Sequence, residues 1–153
     1  NSKKIFMSAD SQSSSQFGDI GKYKNLNLIT PTEHEARLST RNIEDGLVIL
    51  TEELFKQTKS KNILLKLGRE GVFIHNGKKT KKSFKTDRIR ALNNSPQDAS
   101  GAGDSLLSVS TLSLHLGSSI WEAGLLGSVA ASIQVSRLGN IPIRAKEIIS
   151  IIK

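Results

Sequence analysis

The sequence has no cysteine, one tryptophan, one tyrosine and one methionine in 153 residues. Without thiols, neither a disulfide framework nor thiolate metal ligation is available, which suits a cytoplasmic setting. Aromatic residues make up 5% of the chain, too few to lay out the stacking platforms that single-stranded nucleic acids use. No apolar run approaches the roughly 18–20 residues that cross a bilayer, and no signal-peptide pattern is visible. Acid is the scarcer charge: 14 Asp and Glu stand against 22 Lys and Arg, for a formal net charge of +8. Such a surplus favours anionic partners, with nucleotide phosphates and nucleic acid both qualifying. The apolar and charged shares, 37% and 24%, are those of a soluble globular protein, long enough for one domain with a sizeable core. There is no internal repeat, and the only biased segment is a Ser/Gln stretch between Ser11 and Gly18.

Apolar periodicity predicts strands alternating with helices. Strands are expected at Lys3 to Ala9, Leu26 to Thr30, Asn62 to Leu67, Val72 to His75 and Arg88 to Leu92. Asn76-Gly77 signals a tight hairpin, with Lys78 to Phe84 as its returning strand. Thr32 followed by Glu35 forms a capping-box pattern that opens a helix through Leu38. Asp45 is expected to cap a stronger helix in which Leu47, Leu50, Leu54 and Phe55 share a face. Further helices are expected at about Ala102–Leu116, Ile120–Leu138 and Arg144–Ile152, with Gly139-Asn140 as a helix C-cap. The order argues for an α/β fold built on a parallel sheet with one antiparallel addition. Lys78, Lys79, Lys81, Lys82 and Lys85 read as a charged strand edge that discourages aggregation.

Three short motifs fall at predicted strand ends or helix starts. The run Asp98-Ala99-Ser100-Gly101-Ala102-Gly103-Asp104 opens a helix, so its unpaired N–H groups and the helix dipole converge on one point. An acid on that first turn repels a bound anion, and Asp104 makes chemical sense beside a phosphoryl group chiefly as a base. The plainer alternative is a Gly-rich cap followed by an Asp that the dipole favours. Thr32-Glu33-His34-Glu35 lies where an apolar strand meets a helix, the edge at which open α/β sheets bind ligands; a capping box without ligand is the alternative there. Lys66-Leu67-Gly68-Arg69-Glu70-Gly71 is either a two-glycine β-turn or a turn beside phosphate, with Lys66 as a point charge.

In that order, these motifs resemble those of the ribokinase-like (PfkB) carbohydrate and nucleoside kinases, whose signature reads Asp-Thr-Thr-Gly-Ala-Gly-Asp. Here Ala99 and Ser100 replace the two threonines. The resemblance implies that Asp104 is the catalytic base and that the amides of Gly101, Ala102 and Gly103 form an anion hole, with Ser100 beside it. It implies that Glu35, with Thr32 standing where the family has Asn, organises Mg2+ through water. Lys66, Gly68 and Gly71 would border the phosphates of ATP. In the family the helix matching Gly127–Ser132 lines the adenine pocket, which makes Ser128 and Ala131 candidates, with Asn140 near the base edge; close helix packing is the alternative reading of those small residues. Asp98 is expected to cap the loop, although the equivalent residue joins a monovalent-cation site in some members.

The resemblance covers nearly the whole chain as the C-terminal, nucleotide-binding half of a ribokinase-like three-layer sandwich. The sugar-gripping and lid-forming half is expected to lie outside it. Asp10 to Gln16 and Pro31 to Arg37 resemble the bacterial subset related to the heptose kinases of ADP-heptose synthesis, in which a nucleotidyltransferase domain can be fused. The implied activity is phosphoryl transfer from ATP to a hydroxyl of a sugar or sugar phosphate, such as a heptose 7-phosphate. The partners expected are nucleotide and a small sugar, neither nucleic acid nor membrane, with a homodimer or docking to the missing half. By itself the fragment is expected to bind nucleotide without turnover; a nucleotide-binding regulatory module is the alternative.

Overall fold

The computed structural model describes residues 5–11, 18–77 and 85–153. The strands are β1 (Ser8–Ala9), β2 (Leu28–Ile29), β3 (Asn62–Lys66), β4 (Val72–Asn76) and β5 (Thr86–Ile89). The helices are α1 (Glu33–Thr40), α2 (Leu47–Thr58), α3 (Ala102–His115), α4 (Ile120–Val135) and α5 (Ala145–Ile152). The strands form one mixed sheet in the order β1-β2-β3-β4-β5. β1, β2 and β3 are parallel, with Ala9 opposite Ile29 and Ile29 opposite Ile63. Parallel neighbours need a long crossover, and α1 and α2 supply it between β2 and β3. The alternation of strands and helices expected from the sequence is present. The strand expected at Lys78 to Phe84, four of the five lysines beside it, residues 1–4 and most of the Ser/Gln stretch lie outside the described residues. Among the described residues no helix is long and apolar enough to cross a membrane.

The chain divides into two compact units, residues 1–65 with 73–87 and residues 66–72 with 88–153. In the first, Leu28, Ile29, Leu50, Leu54, Ile63, Leu64 and Leu65 are fully buried. The near-continuous apolar run of β3 reflects a strand covered on both faces. Three expectations are corrected here. α2 is capped by the backbone of Gly46 rather than by Asp45, because Asn42 holds Asp45 back: its Nδ2 donates to the Asp45 carboxylate at 2.9 Å, and its Oδ1 accepts from Asp45 N. Asn76-Gly77 is not a two-residue turn. The Asn76 N–H is used in pairing with the Lys85 carbonyl, and Gly77 lacks the positive φ that such a turn requires. The last strand begins at Thr86, ahead of the expected Arg88.

In the second unit α3 and α4 pack at van der Waals distance. A Cβ built on Gly127 would stand 2.9 Å from the Leu106 carbonyl oxygen, and the Ser110 hydroxyl donates to the Ala123 carbonyl at 2.9 Å. Ser119 and Glu122 form a capping box at the start of α4. The other end of α4 also corrects the sequence: the helix stops at Val135 with Ser136 as its cap, so Gly139-Asn140 is not its C-cap. Continuing the helix would require the Gly139 N–H to reach the Val135 carbonyl. That carbonyl instead accepts from Gln97 N at 2.7 Å, while Gly139 N donates to Asp98 Oδ2 at 2.9 Å.

Candidate functional site

Gly101 takes φ +75° at the start of α3, and a Cβ there would lie 2.7 Å from Asn140 Cγ. Only glycine meets both demands. The Ala102 N–H turns back to the Ala99 carbonyl at 3.2 Å, and Ser105 N donates to the Gly101 carbonyl at 2.9 Å. Among the described residues the amides of Gly101, Gly103 and Asp104 have no acceptor. They are the orphan donors of a 14-residue helix, at the end where its dipole is positive. The Asp104 carboxylate is exposed on that first turn, with no hydrogen-bond partner among the described residues.

The loop ahead of this turn is fixed by side chains. Asp98 accepts from Ser100 N and from Gly139 N, each at 2.9 Å. The Ser100 hydroxyl and these two N–H groups together hold the Asp98 carboxyl below its ordinary pKa. Asp98 therefore caps the loop as expected. The structure brings Ser100, Gly101 and Asn140 together, and it adds a residue that sequence reasoning missed. Gln134, fully buried on α4, donates from Nε2 to the carbonyls of Ser100 at 3.1 Å and Gly139 at 2.8 Å. Its only signal in the sequence is an amide side chain between apolar neighbours.

Lys66 ends β3 half-buried, and the turn after it is closed by Leu67 N donating to the Gly71 carbonyl at 2.8 Å. The two glycines differ. Gly68 has φ +58° with open space where a Cβ would stand; it is exposed, and its carbonyl accepts from Gly71 N at 3.1 Å. Gly71 has φ +97°, and a Cβ there would stand 2.6 Å from Ala91 N. Gly71 is thus demanded by packing against the chain that leaves β5. Arg88 pins the same turn by donating from Nη2 to the Glu70 carboxylate at 2.6 Å.

Thr32 and Glu35 belong to the other unit, where they form the capping box of α1. Thr32 Oγ1 accepts from Glu35 N at 3.2 Å, and Glu35 Oε2 accepts from Thr32 N at 2.7 Å. Glu35 is 2% exposed, and the neighbouring Thr30 hydroxyl is buried with no partner among the described residues. His34 is on the surface, as expected. No group of three or more His, Cys, Asp or Glu side chains stands ready for a metal among the described residues.

Ser128 is buried, and its hydroxyl donates to the Gly124 carbonyl at 2.8 Å, which commits its proton within α4. Ala131 is half-buried. A pocket of about 370 Å³ opens further along the helix, lined by residues 92–95, Ser132, Ile133, Ser136 and Ile151. Asn93 braces its rim by donating from Nδ2 to the Ser132 carbonyl at 3.2 Å. The depression is open to solvent, and Leu92, Ile133 and Ile151 share its lining with a majority of amide and hydroxyl side chains.

Residues 6–146 match the pfkB family of carbohydrate kinases. The bifunctional protein HldE of Geotalea uraniireducens is 32% identical over 137 residues, covering 86% of this chain and 26% of that protein. Ribokinase from Thermotoga maritima superposes with a TM-score of 0.69 at 26% identity, covering 83% of this chain and 42% of that one. The ribokinase of Arabidopsis thaliana, solved in complex with ribose and ATP, gives a TM-score of 0.68 at 22% identity, over 84% of this chain and 41% of that one. The chain thus spans about a quarter of the length of the curated relative and under half of either ribokinase.

Proposed function

The chain belongs to the pfkB family of carbohydrate kinases, and from that membership we propose that it is the nucleotide-binding portion of a longer sugar kinase. The reaction is transfer of the γ-phosphoryl group of ATP to a hydroxyl of a sugar or sugar phosphate. A heptose 7-phosphate is the acceptor favoured by the likeness to the heptose-kinase subset. One observation carries this reading: α3 begins with amides at Gly101, Gly103 and Asp104 that have no acceptor among the described residues, beside the exposed Asp104 carboxylate, which has no partner among them either. Every helix start leaves amides unpaired and favours a first-turn acid, so it is the family membership that turns this pair toward a phosphoryl group.

In this mechanism Asp104 accepts the proton of the attacking hydroxyl as the new O–P bond forms and the bond to the departing ADP oxygen breaks. The amides of Gly101 and Gly103 hold the oxygens of the phosphoryl group in flight. Their donors are fixed before reaction, so no reorganisation is spent on orienting them. Ala102 joins them only if its N–H leaves the Ala99 carbonyl. Lys66 and the exposed N–H of Gly68 meet the remaining phosphate charge, with Gly71 holding that turn in place. The pocket beside Asn93 takes the nucleobase. By the family resemblance Thr32 and Glu35, whose hydroxyl and carboxylate oxygens close the capping box of α1, would hold Mg2+ through water. When bound, the ion would neutralise part of the phosphate charge.

Titrating the chain with Mg-ATP while following backbone amide resonances tests this reading. Shifts centred on Gly101, Gly103 and Asp104 are expected. Saturating Mg-ATP that leaves those three amides unmoved would overturn it.

A further inference from the structure

Asp98 and Gln134 bind the same two residues with opposite polarity. The Asp98 carboxylate takes the N–H groups of Ser100 and Gly139, and the Gln134 amide nitrogen supplies both of their carbonyls. Two distant peptide segments are thereby fastened on both edges at once. Ser100 directly precedes Gly101, and Gly139 directly precedes Asn140, whose side chain lies against the Gly101 Cα. The double bridge therefore sets both partners of the one close contact that shapes the turn.

The orientation of the Gln134 amide follows from its neighbours. Reversed, it would set Oε1 against two carbonyl oxygens, whereas as found Oε1 accepts from Arg137 Nη2 at 3.4 Å. Arg137 also donates from Nη2 to the Ile141 carbonyl at 2.7 Å and from Nη1 to Glu147 at 3.1 Å. A fully buried amide is costly unless its hydrogen-bonding groups are used, and here both ends of the amide are engaged. An apolar residue would fill the same space on α4 without that cost, so helix packing alone does not account for a glutamine. Gly101 has no side chain with which to hold its own φ of +75°, and what holds it must come from outside the turn.

We propose that Gln134 is a positioning residue for phosphate binding: through Ser100 and Gly139 it holds the Gly101 turn in the conformation that aims the α3 amides. The proposal rests on reading residues 98–104 as the phosphate site. Its test compares wild type, Gln134→Leu and Gln134→Lys. Affinities for Mg-ATP and for inorganic tripolyphosphate are measured by calorimetry, and amide hydrogen exchange is followed at Ser100 and Gly139. Leu fills the space without donors, whereas the Lys ammonium restores donors on a flexible stem one bond longer. Gln134→Leu is expected to fold and to lose about tenfold to a hundredfold in affinity for both ligands, the range that small misplacements produce. Exchange at Ser100 and Gly139 should quicken, and Gln134→Lys should recover most of the loss. Equal loss for tripolyphosphate places the effect on phosphate rather than on the base. A folded Gln134→Leu protein that binds both ligands as wild type does would sink the proposal and leave the phosphate-site reading standing. Wild type that binds neither ligand sinks that reading, and the proposal with it. If Gln134→Leu does not fold, Gln134→Glu, which keeps an oxygen for Arg137 and loses the donors, is judged by the same readouts.

Discussion

His75 Nδ1 lies 3.2 Å from Thr51 Oγ1 in the interior of the first unit, and the Thr51 hydroxyl already donates to the Leu47 carbonyl at 2.8 Å. Thr51 is therefore the acceptor and His75 carries its proton on Nδ1. Nε2 is buried without a hydrogen-bond partner among the described residues, 3.9 Å from the Glu52 carboxylate. The Phe55 ring stands 5.3 Å away, and Lys85 pairs with Glu52.

Burial, and after it the Lys85 charge, lowers the His75 pKa to about 4, with Glu52 opposing them. The unfolded chain, with the ordinary value of 6.5, binds more protons than the folded one between these limits. Stability contributed by neutral His75 is therefore complete above about pH 6.5 and falls as the pH drops towards 4, by about 3 kcal/mol in all. Urea melts from pH 4 to 7 should show this slope, and His75→Phe should flatten it. Parallel slopes for the two proteins would show that another group is responsible.

Gly68 and Gly71 should respond differently to alanine. At Gly71 the methyl group would overlap the backbone of residues 89–91, and a loss of about 3 kcal/mol or more is expected from strain and displacement together. At Gly68 the space is open, and only the left-handed conformation is penalised, by about 1–2 kcal/mol. Chemical denaturation of the two variants measures the gap. Equal losses would mean that the turn is not seated against the β5 exit.

Replacing Asp104 by Asn in the full-length protein removes the base and one negative charge beside the phosphates. Turnover should fall by about 10²–10⁴-fold, while ATP affinity holds or improves. Loss of the acid from the helix start should cost only about 0.3–1 kcal/mol of stability. Steady-state kinetics beside a thermal melt separates the two roles, and wild-type turnover would remove Asp104 from the chemistry.

On α4 two adjacent small residues carry different expectations. Gly127→Ala should destabilise by about 1–3 kcal/mol, because the methyl group pushes against the Leu106 carbonyl of α3. Ser128→Ala should leave Mg-ATP affinity unchanged, since the serine hydroxyl is already bonded within its own helix. A marked loss of affinity in Ser128→Ala would return that residue to the nucleotide pocket.

What could be read from the sequence was what depends on near neighbours. The Thr32–Glu35 capping box, the buried run of β3 and the glycine turn into α3 are each set by residues within a few positions of one another. The misreadings share a different cause. Asp45 is held by Asn42, which leaves Gly46 as the cap of α2, and Asn76 was already committed to Lys85, so the signals read were outbid by partners that no simple pattern marks. The end of α4 and the duty of Gln134 both depend on residues 97–100, some 34 positions away for the Gln134–Ser100 bond. No pattern within a helix reports such a partner, and a glutamine in an apolar run looks like a surface residue until the loop that it meets is known.

The bond between Asp98 and Gly139 spans 41 positions, yet its two ends flank a helical hairpin. Once α3 and α4 lie side by side, most of the chain entropy of bringing those ends together has already been spent. The glycine turn can therefore take its working shape only after the hairpin is complete. During refolding, helical signal should precede ligand competence, and a chain stalled with α4 undocked would be helical but unable to grip a phosphate.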